Sequence, residues 1–139
     1  MSSTQGGFMG AKWIKLSVLY LVFGIGVGLF MSLTLKLNWG SAHAHVNLVG
    51  FATTAIFGII YSIYPSASKN SLGKVHFWLH HLGVPVFLLS VFLVQVPGML
   101  DTAHILTYLG GGAFGLGVIV FIINALKNID ESSVMKNGK

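Results

Sequence analysis

Four long stretches of this chain contain no charged residue, and this feature constrains the fold more than any other. No Asp, Glu, Lys or Arg occurs in residues 16–35, 37–68, 75–100 or 102–126. Each stretch reaches at least the ~20 residues that an α-helix needs to cross the ~30 Å hydrocarbon core of a bilayer. The stretches are too long and too uniformly apolar for barrel strands, and backbone groups in lipid must be hydrogen-bonded within their own segment. Helices are therefore expected.

We predict an all-α, polytopic membrane protein with four transmembrane helices in a single domain. The first apolar stretch is too long for the apolar region of a secretory signal, so we expect it to be retained. The connecting segments are short and rich in Pro and Gly, which leaves no room for a second domain. The predicted helices cover approximately residues 14–36, 42–64, 74–97 and 102–126, with polar tails at 1–11 and 128–139.

The lysines predict the orientation in the membrane. All 8 basic residues are Lys, and only Lys36 lies on the side of the membrane opposite to the rest. The positive-inside rule then places both termini in the cytoplasm, in a bacterial-type inner membrane. The net charge of +5 is explained by this topology, and no basic stripe indicates a nucleic-acid partner. The chain has no Cys, which excludes disulfides and thiolate metal sites.

The 6 histidines are the candidate functional residues, because ionisable side chains in or beside a membrane helix are costly and mark functional sites. One mononuclear site within a single chain cannot use histidines from both ends of a ~30 Å span. The predicted topology sorts them into an outer set, His43, His45 and His104, and an inner set, His76, His80 and His81.

The outer pair lies in "SAHAHVNLVGF", residues 41–51. His43 and His45 are two apart on a helix and point about 200° apart, at ~100° per residue. They cannot easily bind one ion together, but they can face different partners on two sides of the helix. Neutral imidazole is a frequent axial ligand of haem iron, so a planar cofactor between helices is one use of this pair. A structural histidine hydrogen-bonded to its neighbours is the other.

The inner set lies in "HFWLHHLG", residues 76–83. His76 and His80 are four apart and share a helix face, a spacing that can chelate zinc or copper. No cysteine or carboxylate completes such a site, and His76 is expected at the headgroup level. If the outer pair binds a haem, His81 should be dispensable for that binding.

Small residues predict where helices pack closely. Gly24 and Gly28 form a GxxxG motif in the first helix, and "GGGAFGLG", residues 110–117, gives the last helix a glycine-rich face that includes Gly111 and Gly115. Such faces let helix backbones approach each other in lipid, and they could equally admit a flat ligand.

The order of these motifs resembles the last helices of subunit I of the haem–copper oxidases, over about residues 13–126. The matching residues are "HAH" at 43–45, "KVHF" at 74–77 and "GM" at 98–99. The resemblance implies that His43 corresponds to the ligand of the high-spin haem and His45 to a ligand of the low-spin haem. "HVNLVGF" also resembles the His-x-Asn helix start of the nitric-oxide-reductase branch, which again implies His45 as the low-spin ligand, with Asn47 beside it.

The chain departs from that family in size and in its copper site. Subunit I has many more helices, and its copper-ligating histidines and cross-linked tyrosine have no counterpart here. Oxygen reduction by this chain alone is therefore not expected, and enzymatic activity is left open. Because subunit I has pseudo-threefold symmetry built from four-helix arcs, the resemblance implies a homo-oligomer, with a trimer favoured.

The leading hypothesis is a haem b-binding integral membrane protein for electron transfer or for binding a diatomic gas, O2 or NO. His45 would supply one axial ligand, and the other would come from His104 or from a neighbouring chain. His43 would face a second haem or copper, or stabilise the oligomer. The expected partners are further copies of the chain, the lipid bilayer, and a redox protein or quinol.

Two alternatives stay open from the sequence. The first is a copper- or zinc-binding transporter or chaperone that uses the outer histidines together with His76 and His80. The second is an assembly subunit of a respiratory complex without a cofactor. In that case the histidines would bond to the backbone, and Trp13, Trp39 and Trp78 would anchor the helices at the membrane interfaces.

Overall fold

The computed structural model describes residues 5–134, and side chains from residue 9 onward, so the outermost residues of both predicted tails lie outside it. The described part is all-helical and contains no strand. Four of its helices are long and apolar enough to cross a membrane, which confirms the prediction from the charge-free stretches. The helices are α1 (Gln5–Thr34), α2 (Leu37–Ile63), the short α3 (Pro65–Lys69), α4 (Ser71–Leu93) and α5 (Leu100–Asn128).

The helix ends differ from the predicted ends for local reasons. α1 begins well before residue 14, inside the predicted polar tail. α4 ends at Leu93 rather than at residue 97, because Pro97 has no N–H to donate and Gly98 has a φ of 80° that favours glycine. At the other end of α4, the Asn70 side chain accepts a hydrogen bond from the Gly73 N–H at 2.8 Å and caps the helix.

Two helices contain π-helical segments. In α2 this segment runs from Val46 to Thr53 and begins directly after His45, and in α5 it runs from Thr107 to Gly111. In α2, the Thr53 hydroxyl donates to the Leu48 carbonyl, five residues earlier, at 2.8 Å. Segments of π-helix are rare and often accompany functional sites, so the one in α2 draws attention to the residues around His45.

The bundle consists of two helix hairpins, with α1 packed along α2 and α4 packed along α5. The glycine motif of α1 makes room for side chains of α2. A Cβ added at Gly24 would lie 2.5 Å from Asn47 Oδ1, and one added at Gly28 would lie 2.9 Å from His43 Cε1. The two glycines therefore seat an amide and an imidazole against the α1 backbone.

The glycine-rich segment of α5 packs on α4. The prediction that Gly115 belongs to the packed face is wrong. A Cβ at Gly83 of α4 would lie 2.7 Å from the Phe114 nitrogen and 2.9 Å from the Gly110 carbonyl oxygen. Gly110 and Gly117 face α4, whereas Gly115 has nothing within 4 Å and faces away. At ~100° per residue, Gly117 lies about 20° from Gly110 around the helix and Gly115 about 140° from it, so regular helical periodicity accounts for this division.

Candidate functional site

His43, from the predicted outer set, lies near the N-terminal end of α2 and is half-buried against α1. Its Nδ1 lies 3.0 Å from the Gly24 carbonyl oxygen. Asn47, one turn further along α2, donates to the His43 carbonyl at 2.8 Å, and its nitrogen lies 3.4 Å from His43 Nδ1. Because a carbonyl oxygen only accepts, the contact with Gly24 places the proton on Nδ1 and leaves Nε2 as the free acceptor of the neutral ring.

His45 is half-buried on another side of α2. Its Nδ1 lies 2.8 Å from the Ser41 carbonyl oxygen, one helical turn back. Its ring meets the ring of Phe87 on α4 at a centroid distance of 5.7 Å, edge to face. His43 thus faces α1 while His45 faces α4, and in both rings the carbonyl contact leaves Nε2 free.

His104 does not join this site within one chain. It is exposed on α5, and among the described residues no hydrogen bond or ring contact connects it to His43 or His45. The structure therefore brings together His43 and Asn47, places His45 beside them on a different face, and leaves His104 on the outer surface of the bundle.

The inner histidines surround a single tryptophan. Trp13 of α1 is fully buried, and its ring centroid lies 4.9, 4.6 and 4.5 Å from those of His76, His80 and His81. The assembly-subunit hypothesis predicts that Trp13 anchors α1 at a membrane interface. The full burial of Trp13 contradicts that prediction. His76 is also fully buried within the bundle, and its expected place at the headgroup level stays a prediction.

Hydroxyl groups of α2 hold two of these imidazoles. The Tyr61 hydroxyl lies 2.7 Å from His76 Nδ1, and the Thr54 hydroxyl lies 2.8 Å from His80 Nε2. The opposite ring nitrogens, His76 Nε2 and His80 Nδ1, are buried without a hydrogen-bond partner in the described part of the chain. The cluster is thus a hydrogen-bonded contact between α2 and α4 with Trp13 of α1 packed into it.

This cluster is not arranged as a multi-ligand metal centre. In residues 5–134, no three His, Cys, Asp or Glu side chains form a group that could hold a metal ion. His76 and His80 do share a face, as their spacing predicts, but Trp13 packs against both rings. A metal at this pair would have two imidazoles and no third ligand of these types.

Sequence reasoning missed the three non-histidine members of the inner cluster. Thr54 and Tyr61 lie seven residues apart on α2, so their shared helix face carried a usable signal. The sequence around Trp13 was misleading. Trp13 lies between Lys12 and Lys15, a position typical of the aromatic residues that mark a membrane interface.

Comparisons with protein-family models, with curated proteins and with solved structures found no match to this chain. Its function is therefore inferred from its own side chains and their geometry.

Proposed function

We propose that this chain is a haem b-binding integral membrane protein in which His45 supplies an axial ligand. One observation carries the proposal: His45 Nδ1 lies 2.8 Å from the Ser41 carbonyl oxygen, so Nε2 is the nitrogen available to a metal. Metal-bound histidines usually donate their other ring N–H to a carbonyl or carboxylate, which fixes the tautomer and orients the ring. The π-helical segment that begins at Val46 supports a functional role for this turn of α2.

His45 fits this role better than His43. Both have Nδ1 beside a backbone carbonyl, but the His43 ring lies against Gly28, where an added Cβ would be 3.7 Å from Nε2. The α1 backbone therefore restricts the approach of a large planar group to His43. We assign His43 and Asn47 to holding α1 against α2, which positions the turn that carries His45.

The second axial ligand is proposed to come from another copy of the chain. His104 is exposed and makes no contact with His45 within one chain. An imidazole on the lipid-facing surface of a helix is unfavourable unless it is paired. A homo-oligomer, with a trimer favoured, would cover His104 and bring a second histidine to the haem, and homo-oligomers usually have closed cyclic symmetry.

A bound haem would supply one-electron redox chemistry. Two imidazole ligands would close the iron to further ligands and suit electron transfer, with a redox protein or a quinol as partner, whereas one imidazole would leave a position for O2 or NO. The chain's own contribution is to hold Nε2 of His45 in place and to keep that end of α2 fixed against α1. Oxygen reduction by this chain alone is not part of the proposal.

The test is an absorption spectrum of the purified protein, oxidised and then reduced with dithionite, from cells with ample haem supply. A Soret band with sharp reduced α and β bands is expected for low-spin haem b. A broad reduced spectrum that shifts under CO would favour gas binding. A colourless protein would refute haem binding, and elemental analysis of the same sample would then separate a copper or zinc protein from an assembly subunit.

Two variants test the ligand assignment. His45→Ala should lose haem while the protein still inserts, because the axial nitrogen is gone. His81→Phe is the matched control, since it removes an imidazole from the inner cluster but keeps a ring beside Trp13, and it should retain full haem. Full haem content in His45→Ala would refute the assignment, and haem loss in His81→Phe with intact folding would place the site at the inner end.

A further inference from the structure

The first and last membrane helices, α1 and α5, are less covered by the rest of the chain than the two between them. In the apolar stretches of these helices, 11% of α1 and 17% of α5 is buried, against 33% of α2 and of α4. In the described part of the chain, α1 packs mainly along α2, and α5 packs mainly along α4. One side of α1 and one side of α5 are therefore open, and these two sides carry features that complement each other.

On α1 this feature is a groove with aromatic walls, called the aromatic groove below. It has a volume of ≈490 Å³, and α1 forms most of its wall, with Trp39 of α2 and Phe92 of α4 completing it. Gly26 is part of the wall, and a Cβ added there would have nothing within 4 Å, so the groove is open at this point. A cation lies at the rim, because Lys36 Nζ is 5.9 Å from the centroid of the Phe30 ring, which also lines the groove. The aromatic groove therefore fits an occupant with an aromatic ring and an anion.

On α5 the open side presents an anion and an aromatic ring. Asp101 and Tyr108 are seven residues apart, which places them within about 20° of each other around a helix, at ~100° per residue. Both side chains are exposed, Tyr108 by 78%. Neither makes a hydrogen bond or an ion pair in the described part of the chain. His104, which is also exposed, lies between them along the helix.

The aromatic groove and this side of α5 lie at the same end of the bundle and at the same depth. The α1–α2 and α4–α5 connections meet at that end, where the Asn38 amide donates to Gln95 Oε1 at 3.3 Å. Gly26 lies eight residues before the end of α1, and Tyr108 lies eight residues after the start of α5. At ~1.5 Å per residue, both are ~12 Å from the helix ends. Because copies in one membrane share its plane, α5 of one copy can meet the groove of the next in this register.

We propose that the aromatic groove binds α5 of a second copy of this chain, so that the copies assemble head to tail. Tyr108 of one copy enters the groove beside Gly26 of the next, and Asp101 pairs with Lys36 at the rim. The inference rests on the homo-oligomer of the proposed function and adds the surfaces that form it. A head-to-tail contact uses two different surfaces of each copy, and such contacts generate a ring where the rotation closes. The contact covers His104, which lies on the same part of α5.

Disulfide cross-linking in membranes tests the contact. The chain has no Cys, so only introduced thiols can react. After oxidation with diamide, the variant with Gly26→Cys and Tyr108→Cys should give disulfide-linked dimers and larger forms on a non-reducing gel. The matched control combines Gly26→Cys with Leu89→Cys, because Leu89 is 51% exposed but lies on α4, and this variant should stay monomeric. Each single-cysteine variant should stay monomeric as well, since a head-to-tail contact does not bring equal residues together.

Charge reversal tests the pairing at the rim. In the variant with cysteines at positions 26 and 108, Lys36→Asp and Asp101→Lys should each slow disulfide formation about fivefold, the factor for a strong exposed ion pair. The two reversals together should restore the rate. Equal cross-linking in the Leu89→Cys control, cross-linking of a single-cysteine variant, or a double reversal that stays slow would each overturn the proposal.

Haem content tests the proposed function separately from this contact. Cross-linking is repeated on protein from cells depleted of haem, where the disulfide should still form. A cross-linked but colourless protein from cells with ample haem would refute haem binding and support the contact. A protein that holds haem but forms no disulfide would overturn the contact and leave haem binding in place.

Discussion

The hydrogen bond between Tyr61 and His76 should make a measurable contribution to the stability of the bundle. Tyr61 and His76 are both fully buried, and Tyr61→Phe removes only the hydroxyl that lies 2.7 Å from His76 Nδ1. The other nitrogen of that ring has no partner in the described residues, so the imidazole would lose its last hydrogen bond.

The expected loss of stability in Tyr61→Phe follows from two ranges of measured free energies. Leaving a buried polar group unpaired costs ~1–3 kcal/mol. Side-chain hydrogen bonds measured within membrane proteins average ~0.6 and reach ~1.7 kcal/mol, because the unfolded chain in the membrane also finds partners. Full burial of both residues places this bond near the upper end of the second range. We expect Tyr61→Phe to lower the free energy of unfolding by ~1.5 kcal/mol.

The assay is unfolding by SDS in mixed micelles, followed by far-UV circular dichroism. Tyr108→Phe is the matched control, because Tyr108 is 78% exposed and its loss should change the stability by less than ~0.5 kcal/mol. A double-mutant cycle with His76→Phe should give a coupling energy of ~1 kcal/mol. A cost for Tyr61→Phe no larger than that for Tyr108→Phe, or a coupling near zero, would refute the role of this bond.

Three further predictions concern packing and assembly. Gly110→Leu should destabilise the α4–α5 hairpin by about 3 kcal/mol, since an added Cβ meets the α4 backbone, whereas Gly115→Leu, with open space, should be neutral in the same SDS titration. Asn124→Leu should cost ~2 kcal/mol, because this buried side chain donates to the Ala67 carbonyl and accepts from two other asparagines; unchanged unfolding would contradict this. His104→Ala should convert low-spin haem to a five-coordinate form that binds CO, and an unchanged reduced spectrum would exclude His104 as the second ligand.

The helices could be predicted from the sequence because insertion into a membrane depends on local composition. A stretch without charges must be covered by hydrocarbon or by other helices, whatever the rest of the chain does. The seating of His43 against Gly28 was also within reach, since small residues at GxxxG spacing mark close approach of helices. These features need only the order of residues along one helix and its average geometry.

The direction in which side chains face could not be predicted in the same way. Trp13 lies between two lysines, yet it points inward because α1 extends beyond the predicted start and packs against α2 near Phe57. Gly115 faces away from α4 because the partner helix packs on the side of the glycine-rich run that carries Gly110 and Gly117. Both outcomes depend on packing between helices, and the order of residues along one helix does not say which of its sides a partner covers.

The two groups of histidines differ in which nitrogens remain accessible, and this difference separates the structural and functional roles experimentally. In the inner set, Trp13 and the hydroxyls of α2 enclose the imidazoles, so we expect a change there to act through stability. In the outer set, a backbone carbonyl fixes Nδ1 of His45 and leaves Nε2 free, so on the proposed function a change there acts through ligand binding. Measuring haem content and the unfolding free energy for every variant should therefore divide them into two classes. Tyr61→Phe should lower stability with haem retained at low SDS, and His45→Ala should lose haem and, compared as apoproteins, leave the unfolding free energy nearly unchanged. If both quantities fell together in both variants, the two ends of the bundle would be one cooperative site, and the assignment of haem binding to the outer end alone would be wrong.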